Sequence, residues 1–149
     1  MKVRRQCASD GKTVVFTNGC FDIIHPGHLH YLTRARKLGD LLVVGVNTDS
    51  SVRRIKNSDR PVVQEKWRAV LVDGLKPVDY VILFEEETPE NLIMKIRPDV
   101  LVKGADYNLE DIIGADFVRR YGGKVKRIRL LSGISSTMII EKIVRLHRS

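Results

Sequence analysis

Apolar runs of strand length alternate with segments of helical period along nearly the whole chain, and this rhythm limits the fold more than any other feature. "TVVFTN" (13–18), "LLVVGVN" (41–47), "DYVILF" (79–84), "DVLVKG" (99–104) and "KVKRIRL" (124–130) read as five strands. The second is a continuous apolar run, the pattern of a strand buried on both faces of a parallel sheet. Between the first two, residues 27–38 set Leu29, Leu32, Ala35 and Leu38 at intervals of three with basic residues opposite, a helix that Gly39-Asp40 closes. Further helices are expected over Val63–Leu75, from Thr88-Pro89 to Ile96 with Pro89 at the first helical position, over 110–121, and over Ser135–Leu146. Residues 48–60 are polar, basic and irregular, and are expected to stay outside the core.

Alternation of this kind predicts an α/β fold, a Rossmann-like doubly wound parallel five-stranded sheet with helices on both faces. The 149 residues fit one domain spanning 1–149, with no internal repeat or boundary. Ligands of such sheets bind beyond the carboxyl ends of the strands, at the switch point. The segment from Asn18 to His28, directly after the first strand, therefore falls at the expected site.

That segment, "TNGCFDIIHPGHLHYL", holds three of the chain's four histidines between His25 and His30. With Pro26 as the first helical residue, His25 caps the helix and His28 follows on the same side one turn later. Free backbone N–H groups and the helix dipole make such a start an anion site, and Gly27 permits close approach. Three readings stay open on the residues alone. The imidazoles serve a phosphate, they ligate a metal with Asp22 as a nearby third group, or they only cap and pack. Neither a Walker lysine loop nor Gly-x-Gly-x-x-Gly is present, which disfavours ordinary P-loop or dinucleotide binding.

Charge and cysteine content narrow the classes further. The net charge of +8 suits anionic partners, either nucleic acid or phosphorylated small molecules. The basic residues are scattered except in "VRRIKNSDR" (52–60) and "KVKRIR" (124–129), so charge alone does not choose between these partners. Cys7 and Cys20 form no Cys-x-x-Cys pair and make no zinc site by themselves. Cys20 beside the histidines is a candidate thiol, although a small buried residue is the commoner outcome. No apolar run approaches the roughly 20 residues that span a bilayer. The charged start "MKVRRQ" has no apolar region behind it, so a cytoplasmic address and no membrane partner are expected.

"HPGH" (25–28) resembles the His-x-Gly-His motif of the nucleotidyltransferase superfamily, and "GISST" (133–137) is similar to its second motif near the C-terminus. The similarity runs from about Thr13 to Ile143. Within the superfamily the chain most resembles the D-glycero-β-D-manno-heptose 1-phosphate adenylyltransferases, through "TNGCFDIIHPGH", "ARKLGD", "VGVNTD", "RPV", "VDYVILFEEETPE", "PDVLVKGADY" and the glycine pair at 122–123. The glycerol 3-phosphate cytidylyltransferases share the first motif but not "ETP" or "VKGADY". FMN adenylyltransferases are a further alternative, and a basic nucleic-acid-binding module is the non-enzymatic one. The module leaves the paired motifs unexplained, so no nucleic-acid partner is expected.

The resemblance implies transfer of AMP from ATP to a sugar 1-phosphate, with release of pyrophosphate and formation of ADP-heptose. No kinase segment is visible, so the expectation is a stand-alone transferase supplied with heptose 1-phosphate by another protein, with a homodimer as the family's usual state. It also implies roles. His25 and His28 act on the α- and β-phosphates, and Lys56 belongs with them as a mobile catalytic cation. Asn18, Gly19 and Phe21 line the nucleotide site with Arg68, Lys103 and Gly104, while Ser135, Ser136 and Thr137 face the β- and γ-phosphates. Asp22, Asp106 and Tyr107 hold the acceptor substrate, with Arg53 and Arg54 closing over the phosphates. Mg²⁺ accompanies ATP, held mainly by phosphate oxygens and water, with no protein metal ligand expected.

Overall fold

A computed structural model describes residues 2–148. Helix α1 (Lys2–Ser9) precedes strand β1 (Val14–Gly19), followed by α2 (Pro26–Arg36), β2 (Leu41–Asn47), α3 (Asp49–Ile55) and α4 (Glu65–Asp73). The second half runs β3 (Tyr80–Phe84), α5 (Glu90–Ile96), β4 (Val100–Gly104), a 3-10 turn (Leu109–Asp111), α6 (Ala115–Arg120), β5 (Lys124–Ile128) and α7 (Ser136–His147). The five strands form one sheet in the order β3-β2-β1-β4-β5, every pair parallel. This is the expected doubly wound fold, with its switch point between β1 and β4.

Alternation within the strands explains why helices cover both faces. Val15, Leu42, Val44, Val46, Val100 and Val102 face one layer, where Tyr31, Leu32 and Ala35 of α2 and Val72 of α4 pack. Val14, Phe16, Val43 and Leu101 face the other, against Ile93 and Ile96 of α5, Ala115 and Val118 of α6, and Cys7 of α1. At Gly45 a Cβ would lie 3.1 Å from Phe16 and 3.2 Å from both Phe84 and Leu92, so only glycine leaves these side chains their places.

The ladder between β1 and β2 runs through to Gly19↔Val46, whereas that between β1 and β4 ends at Phe16↔Leu101. Beyond that point β1 and β4 part, and a crevice opens at their carboxyl ends. Thr17 closes its floor, its hydroxyl 2.8 Å from the buried Tyr31 hydroxyl and donating to Val102 O at 3.0 Å.

Several local expectations differ from what is observed. Helix α1 has no apolar stripe, because only Cys7 is buried; tertiary contacts hold it instead. Arg4 donates to Ile96 O and Arg97 O, both at 3.1 Å, and pairs with Asp99 at 3.0 Å. The stretch expected to be irregular contains α3, which Thr48 caps by accepting from Ser51 N and which buries only Ser51 and Val52. Pro89 is the residue before α5 rather than its first member, and α4 begins at Glu65 rather than Val63. The helix expected over 110–121 is split, since Gly114 in the left-handed region, at φ 83°, restarts the chain as α6. No residue of α7 is buried. No helix among the described residues is long and apolar enough to cross a membrane.

Phe16 is fully buried on the face of the sheet that α5 and α6 cover. Phe16→Ala should cost about 3–5 kcal/mol, read as a lower urea midpoint with unchanged slope. A loss under about 1 kcal/mol would contradict this packing.

Candidate active site

His25 and His28 cap the same helix reciprocally. Nδ1 of His25 accepts from Gly27 N at 3.0 Å, and Nδ1 of His28 accepts from His25 N at 3.2 Å. A backbone amide can only donate, so each neutral imidazole must carry its proton on Nε2. Among the described residues neither Nε2–H has a hydrogen-bond partner. The rings lie 3.9 Å apart between centroids, and Phe21 packs 5.3 Å from His28. Burial lowers the pKa of His25, and burial with the neighbouring His25 brings His28 down to about 4. The free protein therefore presents two neutral N–H donors at neutral pH.

The start of α2 differs from expectation in one respect. Its amides are not free: Pro26 has none, Gly27 N is taken by His25 Nδ1, and His28 N donates to His25 O at 3.0 Å. Imidazole Nε2–H groups stand in place of the expected backbone donors. Gly27 has a second constraint, because a Cβ there would come within 2.8 Å of the His25 ring.

The second motif comes to the same place. Ser136 Oγ donates to Ile23 O at 2.9 Å, tying the start of α7 to the loop that carries the histidines. Ile134 lies 3.5 Å from the position of a Gly27 Cβ. Ser135 caps α7 by accepting from Met138 N at 3.1 Å. Among the described residues the Ser136 and Thr137 amides find no acceptor, so this helix start does keep open donors.

Two predicted residues serve as struts around the crevice. Arg68 is fully buried. Its guanidinium donates to Cys20 O at 2.6 Å, Asn47 O at 2.7 Å and Val63 O at 2.8 Å, and pairs with Asp49 at 2.8 Å. Asp22 is buried too, its carboxylate accepting from Val62 N at 2.9 Å and Val63 N at 2.8 Å and pairing with Arg60 at 3.3 Å. Asn18 and Gly19 end β1, and buried Phe21 follows at φ 50°.

Across the crevice, Lys103 Nζ donates to Asn18 Oδ1 at 2.6 Å and lies 5.5 Å from the Tyr107 ring. Gly104 leaves room for the Asp106 carboxylate, which a Cβ would strike. Asp106 and Tyr107 are exposed beside it. The cations of the α3 region are divided. Arg54 is drawn to Glu85 O and to Glu87. Arg53 and Lys56 are exposed, and the Lys56 charge reaches Cys20. Cys20 is half-buried, and burial pushes its thiol pKa up.

Arg60 had no predicted role, yet it joins the motifs. It pairs with Asp22 and donates to Thr137 Oγ1, each at 3.3 Å. It lies in a stretch with no periodicity, and no spacing in the sequence marks it.

The sequence profile of the cytidylyltransferase-like family matches residues 16–142. The chain belongs to that family, in agreement with the resemblance carried by "HPGH" and "GISST". It is 54% identical over 134 residues to the bifunctional protein HldE of Syntrophotalea carbinolica, covering 90% of this chain and 27% of the relative. The corresponding protein of Campylobacter concisus is 55% identical over 132 residues, covering 89% and 27%. The chain thus spans about a quarter of the length of these curated relatives. The crystal structure of a lipopolysaccharide core biosynthesis protein from Thermoplasma volcanium superposes with a TM-score of 0.66 at 35% identity, covering 83% of this chain and all of that one.

The depressed pKa of His28 has a consequence for stability. Unfolding returns the group from about 4 to its ordinary 6.5. Between those values the unfolded chain binds the extra proton, so stability falls as pH drops through that window. His28→Gln, which keeps an acceptor for His25 N, should lose less stability between pH 7 and pH 5 than the wild type in denaturant titrations. Equal losses in the two proteins would remove His28 from the acid response.

Proposed function

We propose that this chain is an adenylyltransferase that joins AMP from ATP to D-glycero-β-D-manno-heptose 1-phosphate, releasing pyrophosphate and forming ADP-heptose for cell-surface polysaccharide. The observation that carries the reading is the meeting of the two motifs at the switch point, through the Ser136 bond to Ile23 O. Two free imidazole donors and an open helix start, brought together there, suit a polyphosphate. The similarity to HldE proteins and to a lipopolysaccharide core biosynthesis protein supports the sugar phosphate as acceptor.

In this reaction an oxygen of the acceptor phosphate attacks the α-phosphorus in line. The new P–O bond forms as the bond to the bridging oxygen breaks, and pyrophosphate leaves with that electron pair. No enzyme nucleophile is required, so catalysis consists of positioning and of neutralising charge that grows on the phosphoryl oxygens. His25 and His28 offer Nε2–H donors to those oxygens. The Ser136 and Thr137 amides, at the positive end of the α7 dipole, meet the leaving pyrophosphate. Lys56 and Arg53 lie at the exposed rim, where movement of α3 would bring charge over the phosphates. Asp106 and Tyr107 offer polar atoms to sugar hydroxyls, while Arg68 and Asp22 hold the surrounding loops.

Mg²⁺, where bound with the nucleotide, would supply neutralisation of part of the phosphate charge. Among the described residues no group of three or more His, Cys, Asp or Glu side chains is placed to hold a metal ion. The family resemblance implies that phosphate oxygens and water would hold most of its coordination.

A second reading, cytidylyl transfer, is favoured by the description of the family. Pyrophosphate release with ATP or CTP against heptose 1-phosphate, glycerol 3-phosphate and FMN separates the two. The expected result is release with ATP plus heptose 1-phosphate alone; release with CTP plus glycerol 3-phosphate would establish the second reading. In the active pair, His28→Ala should lower kcat about 100-fold or more, with the KM for nucleotide changed only a few-fold. Turnover surviving within a few-fold would exclude His28 from the transition state.

A further inference from the structure

Among the described residues no ion pair reaches the Lys103 ammonium, which stands where β1 and β4 separate. Its side chain crosses from β4 to the end of β1 and donates to an uncharged oxygen, Asn18 Oδ1, at 2.6 Å. The side chain is half-buried, and no carboxylate among the described residues lies within ion-pair distance of Nζ. The Tyr107 ring at 5.5 Å supplies a further contact without charge. A cation removed from water is costly unless an anion joins it. The nearby titratable groups are few: the Asp106 carboxylate on the loop after β4, and the Cys20 thiol, whose pKa burial raises, on the loop after β1.

The triphosphate donors are the imidazoles of α2 and the start of α7, joined by the Ser136 bond. The Lys103 ammonium belongs to neither helix start and stands on the β4 side of the crevice. Asp106, folded over Gly104, is beside it to receive hydroxyl groups. A monoester dianion on a hydroxylated carbon skeleton matches this pairing of one ammonium with one carboxylate. We infer that Lys103 binds the phosphate of the acceptor substrate, rather than the nucleotide, and holds the attacking oxygen beside the α-phosphorus. The inference deepens the adenylyl-transfer reading and depends on it for the identity of the acceptor.

A pH signature follows from the same surroundings. Burial lowers the Lys103 pKa to about 8, with Cys20 and Asp106 acting in the opposite direction. A dianion favours the ammonium, so it binds the protonated lysine, and acceptor affinity falls as pH rises beyond about 8.

Lys103→Met keeps the length of the side chain and removes the charge. It should raise the KM for the sugar phosphate roughly 10–100-fold and leave the KM for ATP within about 2-fold. In the wild type the acceptor KM should climb above about pH 8, a rise that Cys20→Ser retains and Lys103→Met abolishes. A KM for ATP that rises as much as that for the acceptor would overturn the assignment, as would a pH rise that vanishes in Cys20→Ser. A measurement on the unaltered protein covers a variant that does not fold. NMR of ¹³Cε-labelled lysine, titrated with pH in the presence and absence of inorganic phosphate, should show the Lys103 midpoint moving up with phosphate; an unmoved midpoint contradicts the inference. Should the wild type release no pyrophosphate with any acceptor, adenylyl transfer fails, and the phosphate titration judges Lys103 separately.

Discussion

One buried guanidinium holds the loops of this site in a common frame. Arg68 has no exposed surface, and it gathers Cys20 O from the end of β1, Asn47 O from the end of β2, Val63 O from the approach to α4, and the Asp49 carboxylate. A charge so placed is tolerable only when bonded throughout, since leaving it unpaired costs several kcal/mol. Every segment that supplies a partner is thereby fixed relative to the sheet. Asp49 and Glu65 extend the frame, each accepting the other's backbone amide, at 2.6 and 2.8 Å, so that α3 and α4 start in register. Asp22 repeats the device with opposite charge, binding the Val62 and Val63 amides and Arg60.

Within that frame the chemistry needs little machinery. The histidines spend their Nδ1 atoms on capping α2, and that expenditure determines where their protons lie. A helix cap thus becomes a pair of oriented donors. Burial keeps the imidazoles neutral until an anion arrives, so the site meets its ligand without first losing a bound counter-ion. On the other side of the crevice an ammonium waits under similar desolvation. The imidazole and amide donors stand at the starts of α2 and α7 and the Lys103 ammonium on β4, so groups able to meet two bound substrates come from different elements of the fold.

Much of this was legible in the residues. The apolar runs of the strands and the period of three to four in the helices revealed the doubly wound sheet, because burial on both faces leaves a direct mark on composition. The histidine motif and the serine motif were visible as clusters, and their placement after β1 and at the start of α7 is as the pattern implied. Helices α1 and α3 were not visible, for they bury one residue and two residues respectively and leave no stripe to read. Arg60, although it opens the "RPV" stretch, showed no role of its own, since its partners Asp22 and Thr137 are distant in the chain. Arg68 was picked out as a nucleotide residue; its full burial and its bonds to the backbone of three segments were not visible in the sequence. A charged side chain on a short helix carries no sign of whether it points inward.

The sequence by itself determined the sheet, the place of the first motif after its first strand, and the residue types that the two motifs bring. These depend on periodicity and on short-range geometry, which a linear pattern records. Only the tertiary structure decided which donors are free. It closed the amides at the start of α2 while leaving those of α7 open, assigned the imidazole protons, and sent Arg54 to an acidic loop. It also left Lys103 outside every ion pair among the described residues, where the β1–β4 ladder ends. Each outcome turns on which partner lies within hydrogen-bond reach across the fold, and that distance is set by packing between segments far apart in the chain.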